Sequence, residues 1–273
     1  MIIKLKGKFD AKKTLESGQC FRFETTTDAL FLTTNRGKVQ IKNHKEGASL
    51  TGASEADCAF YEEYFDAGCD YEKIDAILTK DDTVKKAYVH GAGIKILRQE
   101  PFEALISFII SQNNNIPRIK KIIESLCQNF GEKRECELGE YYTFPCVQAL
   151  DGVNLADLEV LRAGFRSKYI IDAVRLINSG EIALKNVLDM DIETAADYLK
   201  QIKGVGDKVA MCALLYGFGK KDAFPMDVWI KKVMAVFYPH IKTTEDIYKI
   251  FPLYAGIAQQ YLFYYARKIK LTL

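Results

Sequence analysis

Apolar and charged positions alternate at the start of the chain in Ile3-Lys4-Leu5-Lys6, and again in Phe21-Arg22-Phe23-Glu24 and Val39-Gln40-Ile41-Lys42. A period of two belongs to strands with one buried face. Turn residues such as Asn35-Arg36-Gly37 separate these runs, so residues 2–42 are read as an antiparallel sheet. From about Ser54 the period lengthens. Ala56, Phe60 and Tyr64, then Tyr71, Ile74, Ile77 and Leu78, fit short helices, with Asp70 placed to cap the second. The clearest helix runs from Pro101 to Ser111, with proline in its first turn and apolar residues around nearly the whole circumference, as a buried helix requires. Further helices fit 116–129, 168–178, 192–201, 207–216, 228–237, 245–251 and 257–268, while 131–142 is polar enough to be an exposed insertion. The pattern implies an α+β chain. A small N-terminal antiparallel sheet domain with short helices is expected over 1–90, packed on a mostly helical body over 91–273 that contains a helix-hairpin-helix at 192–218.

Composition adds limits. With 273 residues, 48% apolar and 12% aromatic, the chain buries a sizeable core, which excludes disordered and fibrous classes. A net charge of +2 gives no overall polybasic character, so any nucleic-acid contact must be local. Between positions 198 and 234, Lys200, Lys203, Lys208, Lys220, Lys221, Lys231 and Lys232 face only Asp207, Asp222 and Asp227. No stretch approaches the roughly 18 apolar residues of a membrane span, and the opening lacks the apolar run of a secretory signal. A cytoplasmic protein without a membrane partner is therefore expected. Seven scattered cysteines without CxxC pairs read as thiols, and no cofactor or catalytic metal is implied.

The most informative stretch is Leu199-Lys200-Gln201-Ile202-Lys203-Gly204-Val205-Gly206-Asp207-Lys208-Val209-Ala210, where one helix ends at a Gly-x-Gly turn and the next begins at once. Two such glycines permit positive φ and close approach of a ligand, and the following helix N-terminus offers unpaired N–H groups to a phosphate. A tight turn between helices is the plainer reading of the glycines alone. Leu199, Ile202, Val205 and Ala210, spaced to pack the two helices together, favour phosphate binding by Gly204, Val205 and Gly206. Lys208 stands in the first turn of the second helix, where a cation opposes the helix dipole. Its amine is a candidate nucleophile, although a phosphate contact explains an isolated lysine equally well. Nineteen residues on, Phe224-Pro225-Met226-Asp227 places a carboxylate at the head of another helix, able to cap it and to face a pocket. Beside Lys208, Asp227 would take a proton from the amine and stabilise positive charge developing on a sugar.

A hairpin of this form followed by Pro-x-Asp resembles the helix-hairpin-helix, Gly/Pro/Asp superfamily of DNA glycosylases, and Lys208 with Asp227 resembles its bifunctional glycosylase/lyase members. Three further segments, Ser17-Gly18-Gln19-Cys20-Phe21-Arg22, Ser107-Phe108 to Asn113-Asn114-Asn115-Ile116-Pro117-Arg118, and Ala258-Gln259-Gln260-Tyr261-Leu262-Phe263, are similar in order to signatures of the 8-oxoguanine DNA glycosylases. The resemblance spans Gly18 to Phe263. It implies a monomer of bacterial or archaeal type that acts on double-stranded DNA containing 8-oxoguanine, with Lys208 as Schiff-base nucleophile and Asp227 as its supporting carboxylate. By the same resemblance, the Gly18 carbonyl accepts the N7 proton of the damaged base and Gln259 reads its Watson-Crick edge. Cys212 and Phe263 then hold the flipped ring. Cys212 follows Lys208 by four residues and so shares its helix face. As isolated residues, Cys212 and Phe263 fit a core just as well. Asn113, Arg118, Phe165 and Arg166 match residues that fill the gap in the duplex or contact the orphaned cytosine. Phe165 stands where eukaryotic members usually have Tyr, and Trp229 where they usually have His, which implies looser opposite-base selectivity. A glycosylase for other oxidised or alkylated bases, with Asp227 activating water, and a non-catalytic DNA-binding module are the alternatives.

Overall fold

A computed structural model describes residues 1–272. Strands β1 (Ile2–Lys4), β2 (Phe23–Thr25), β3 (Leu30–Thr33), β4 (Lys38–His44) and β5 (Gly47–Thr51) form one antiparallel sheet in the order β1-β5-β4-β3-β2. Pairing of Leu30 with Ile41 and of Leu32 with Val39 aligns their side chains on one buried face. That face is closed by α1 (Ala11–Glu16) and α2 (Cys58–Tyr64), through Leu15, Tyr61 and Phe65. The fifth strand lies outside the expected sheet residues. Its Gly-Ala-Ser-Leu-Thr sequence has little apolar alternation, and partnership with β4, which sets Ile41 opposite Leu50, is what forms it.

The remaining elements are α3 (Tyr71–Leu78), α4 (Asp82–Gly91), α5 (Pro101–Ser111), α6 (Ile116–Phe130), β6 (Lys133–Cys136), β7 (Gly139–Tyr142), α7 (Arg166–Asn178), α8 (Ile192–Leu199), α9 (Asp207–Tyr216), α10 (Val228–Phe237), α11 (Thr244–Ile250) and α12 (Ala255–Lys268). Asp70 caps α3 by accepting from the Lys73 amide. The polar stretch at 131–142, expected as an exposed insertion, is a largely exposed two-stranded hairpin. Lys133 and Glu140 bridge its strands at 2.6 Å, and Arg134 Nη1 donates to the Asn35 carbonyl at 3.4 Å.

Packing cuts across the expected unit 1–90. Tyr71, Ile74, Leu78, Val84 and Ala87 of α3 and α4 belong to the large helical core, not to the core under the sheet. The buried face of α4 packs along α12, and α3, beside α4, is joined to that helix by Tyr261, which donates to Asp75 at 2.7 Å. Two buried glutamines sew the sheet unit to the body. Gln19 donates to the Lys95 carbonyl at 2.8 Å and accepts from the Leu97 amide at 2.7 Å, and Gln260 donates to the Ser17 carbonyl at 2.9 Å. Those bonds hold the Ser17-Gly18 turn against α12.

Candidate active site

α8 and α9 meet because Leu199 and Ile202 are wholly buried and Val205, Val209 and Ala210 pack beneath them. Gly204 adopts φ +80°, and a Cβ there would lie 2.3 Å from the ring of Tyr169. Gly204→Ala is therefore expected to destabilise the protein by at least about 2 kcal/mol in urea titration. A loss below about 0.5 kcal/mol, the range of an ordinary surface change, would refute this packing role. Gly206 behaves differently from the expectation of a second positive-φ glycine. Its backbone is extended (φ −100°, ψ −176°), it caps α9 without a side chain, and no atom would oppose a Cβ there. One glycine makes the turn; the other leaves the helix end open. The Asp207 and Lys208 amides have no hydrogen-bond partner among the described residues, so the positive end of α9 is free for an anion.

Beside that helix end lies a cavity of about 810 Å³ whose lining includes Gly18, Phe108, Ser111, Lys208, Cys212, Asp227, Trp229, Gln259, Phe263 and Arg267. Lys208 Nζ donates to Ser111 Oγ at 2.9 Å and sits over the Phe108 ring, 4.9 Å from its centroid. Cys212, one turn on, is buried, and desolvation pushes its thiol up to about 11 despite the nearby Lys208. At neutral pH it is an uncharged wall of the cavity. Asp227 caps α10, its Oδ1 accepting from the Ile230 amide at 2.8 Å. Burial pushes its carboxyl above the ordinary value, opposed by the Ile230 amide, Lys208, the Trp229 amide and Arg267. Lys208 and Asp227 form no ion pair. They line one space without direct contact.

Two polar groups in this space lack protein partners among the described residues. Gln259 is 3% exposed, and its Oε1 is buried without a hydrogen bond, whereas neighbouring Gln260 is bonded to Tyr216 and Ser17. The Gly18 carbonyl likewise accepts no bond. An orphaned buried amide costs about 1–3 kcal/mol, a cost that a ligand at this place would relieve. Gly18 has φ +82°, and a side chain would begin 3.1 Å from the Phe263 ring. Gly18, Cys212, Gln259 and Phe263 thus share one wall system with Lys208 and Asp227.

The Asn113 segment forms the cavity's outer rim. Asn113 is exposed at φ +46°, a conformation that asparagine tolerates, and Asn115 caps α6 by accepting from the Arg118 amide at 3.0 Å. Arg118 is exposed, with Nη2 3.3 Å from the Arg162 carbonyl. Phe165 is 48% exposed, an aromatic at the tip of the turn into α7 with the Arg166 guanidinium 4.5 Å over its ring. Arg166 departs from its expected contact with the orphaned base. It is 3% exposed and donates to the carbonyls of Gln112 (2.8 Å from Nε), Ala163 (3.1 Å) and Asn113 (2.9 Å). A buried guanidinium must satisfy its donors, and here backbone carbonyls do so. The residue clamps the Asn113 turn.

Three lining residues carry roles that the sequence pattern left unassigned. Ser111 receives the lysine amine, and Phe108, noted only within a matching segment, lies under it. Arg267 places its guanidinium 5.4 Å from the Phe263 ring. Gln259, Phe263 and Arg267 recur every four residues on one face of α12, a spacing that would have found the last of them.

Residues 1–105 match the family model described as 8-oxoguanine DNA glycosylase, N-terminal domain, and residues 106–252 match that described as HhH-GPD superfamily base excision DNA repair protein. The chain belongs to the HhH-GPD superfamily. Within it, the hairpin is α8, the Gly204–Gly206 turn and α9, and the Pro-x-Asp element is Pro225 to Asp227. Among HhH-GPD relatives, a probable N-glycosylase/DNA lyase of Methanothermobacter thermautotrophicus is 30% identical over 229 residues, 75% of this chain and 73% of that one. An N-glycosylase/DNA lyase of Saccharomyces cerevisiae is 36% identical over 179 residues, 59% of this chain and 48% of the longer yeast protein. The 8-oxoguanine glycosylase/lyase of Clostridium acetobutylicum, solved with double-stranded DNA containing cytosine opposite 8-oxoguanine, superimposes with a TM-score of 0.92 at 37% identity. That superposition covers 97% of this chain and 93% of the other.

Proposed function

We propose that this HhH-GPD protein, a base-excision repair DNA glycosylase with lyase activity, excises 8-oxoguanine from duplex DNA through an imine at Lys208. The observation that carries the reading is Gln259, whose buried Oε1 has no partner among the described residues and which lines the same cavity as Lys208 and Asp227. A base flipped between Cys212 and Phe263 brings its edge to Gln259 and its N7–H to the free Gly18 carbonyl, while its sugar faces Lys208. The amine attacks C1′, the bond from C1′ to the base breaks, and the base leaves with the electron pair and takes up a proton. Asp227 stabilises the positive charge that develops at C1′ and receives the proton lost by the amine. Opening of the sugar ring gives the imine, β-elimination cuts the strand on the 3′ side, and water releases the lysine. The open N-terminus of α9 holds a backbone phosphate meanwhile. All these groups come from one chain, in keeping with a monomer.

Gly18→Val tests base recognition. A side chain would strike Phe263 and cover the base edge yet leave the sugar accessible, so excision of 8-oxoguanine should fall by about ten-fold or more, the cost of one good base contact. Cleavage of a pre-formed abasic site should hold. Equal losses on both substrates would mean a disrupted sheet and no reading role for Gly18.

Cytosine is the proposed preferred partner base, with Arg118 as the exposed donor to its acceptor edge and Phe165 as the wedge. Excision measured opposite all four bases tests this. Arg118→Ala should narrow the cytosine-to-adenine ratio by about ten-fold, a contact typically being worth about 1–3 kcal/mol. An unchanged ratio would return Arg118 to phosphate contact.

A further inference from the structure

Ser111 stands between the lysine amine and the turn that carries Asn113. It is the last residue of α5, and its hydroxyl donates to the Phe108 carbonyl at 2.8 Å while accepting from Lys208 Nζ at 2.9 Å. A hydroxyl has one proton, and here the helix uses it. Only oxygen lone pairs therefore face the amine, and the amine must be the donor. The next two residues are fixed in turn, since the carbonyls of Gln112 and Asn113 accept from the buried Arg166. Below the amine, the Phe108 ring is itself stacked on Tyr216 at 5.3 Å. The nitrogen thus rests on a seat made of a hydroxyl and a ring face, both held by other bonds.

We propose that Ser111 is a positioning residue for the reaction: by accepting one N–H of Lys208 it turns the nitrogen lone pair toward the sugar and ties that geometry to the turn clamped by Arg166. The inference rests on Lys208 being the nucleophile. A neutral lysine amine has two N–H groups and one lone pair on a long, flexible stem, and attack requires that lone pair to face C1′. With the Ser111 proton already engaged at Phe108, the hydroxyl cannot take the lone pair by donating to it. It selects an attacking orientation and removes no proton from the amine itself.

The test uses single-turnover borohydride trapping on a duplex with a pre-formed abasic site, which omits base excision, together with the Kd for that duplex. Ser111→Ala should slow adduct formation by about ten-fold or more, as expected for a lost hydrogen bond to a charged or reacting group, with Kd within about two-fold of wild type. Ser111→Thr keeps a hydroxyl able to bond the carbonyl one turn back and should recover the rate to within about three-fold. A purely structural role would weaken rate and binding together and would not need the hydroxyl. Trapping by Ser111→Ala at the wild-type rate, equal slowness of Ala and Thr, or matched losses in rate and Kd would each overturn the inference. If the wild type itself forms no adduct, the imine reading falls and this inference with it. A wild-type adduct with an indifferent Ser111→Ala removes the inference alone.

Discussion

Lys208→Gln is expected to abolish the reducible adduct and lower strand cleavage by about 10³-fold or more, the scale on which loss of a nucleophile is felt. The amide keeps nearly the length of the lysine side chain and can still donate toward Ser111 Oγ, so the cavity should survive the change. Removing a cation from the first turn of α9 also relieves an unfavourable interaction with the helix dipole, which argues against a folding defect. Duplex affinity, measured in parallel by fluorescence anisotropy, should stay within a few-fold. Cleavage by the mutant within about ten-fold of wild type would move Lys208 from the nucleophile to a phosphate contact.

Asp227→Asn should cost about 10²–10³-fold in rate with little loss of affinity, because its charge acts as positive charge develops on the sugar. Asparagine caps helices as well as aspartate, so the bond to the Ile230 amide persists and the substitution isolates charge from capping. The pH dependence follows from the direction of the shift. Burial raises the Asp227 carboxyl above the ordinary aspartate range, so the ionised, active form is lost at a higher pH than for a free aspartate as the solution is acidified. The acid limb of the wild-type rate should lie at that elevated pH, and the Asn variant should lack it. Stability moves the other way. A raised pKa means that ionisation costs the folded state more than the unfolded one, so this group's contribution falls as pH rises from the unfolded to the folded pKa. At neutral pH Asp227→Asn should therefore keep or raise Tm in a thermal scan, as expected where a site holds charge at the expense of stability. A lower Tm with equal losses in binding and rate would make Asp227 a structural cap.

Much of the body was legible because local signals agreed there. Pro101, the continuous apolar surface that follows it and the Gly-x-Gly break give α5 and α9 their observed limits, and Asp227 after Pro225 marks the start of α10. The sheet was legible where its strands alternate. It was not legible at β5, where small residues gain strand character only from β4, nor in the hairpin of β6 and β7, whose polar strands are joined across by an ion pair. The helices α3 and α4 were recognisable as elements, but sequence order placed them with the sheet. They join α12, α4 by packing and α3 through the Tyr261–Asp75 bond, long-range contacts with no local signature. The site divides in the same way. Residues whose chemistry is unusual for their place, such as a lysine at a helix N-terminus, stood out, while Ser111 looked ordinary and Arg166 was read as a contact to the orphaned base. Their roles come from what folding sets opposite them: the Lys208 amine for one and three backbone carbonyls for the other.

The most direct measurement incubates wild-type protein with a duplex bearing one 8-oxoguanine opposite cytosine, in the presence of borohydride, and maps the cross-linked peptide by mass spectrometry. A covalent protein–DNA adduct on the peptide carrying Lys208, formed together with release of 8-oxoguanine, is the expected result. Release of the base without any adduct would instead mean direct attack by water activated at Asp227, and an adduct at another amine would displace Lys208; either contradicts an imine formed at Lys208.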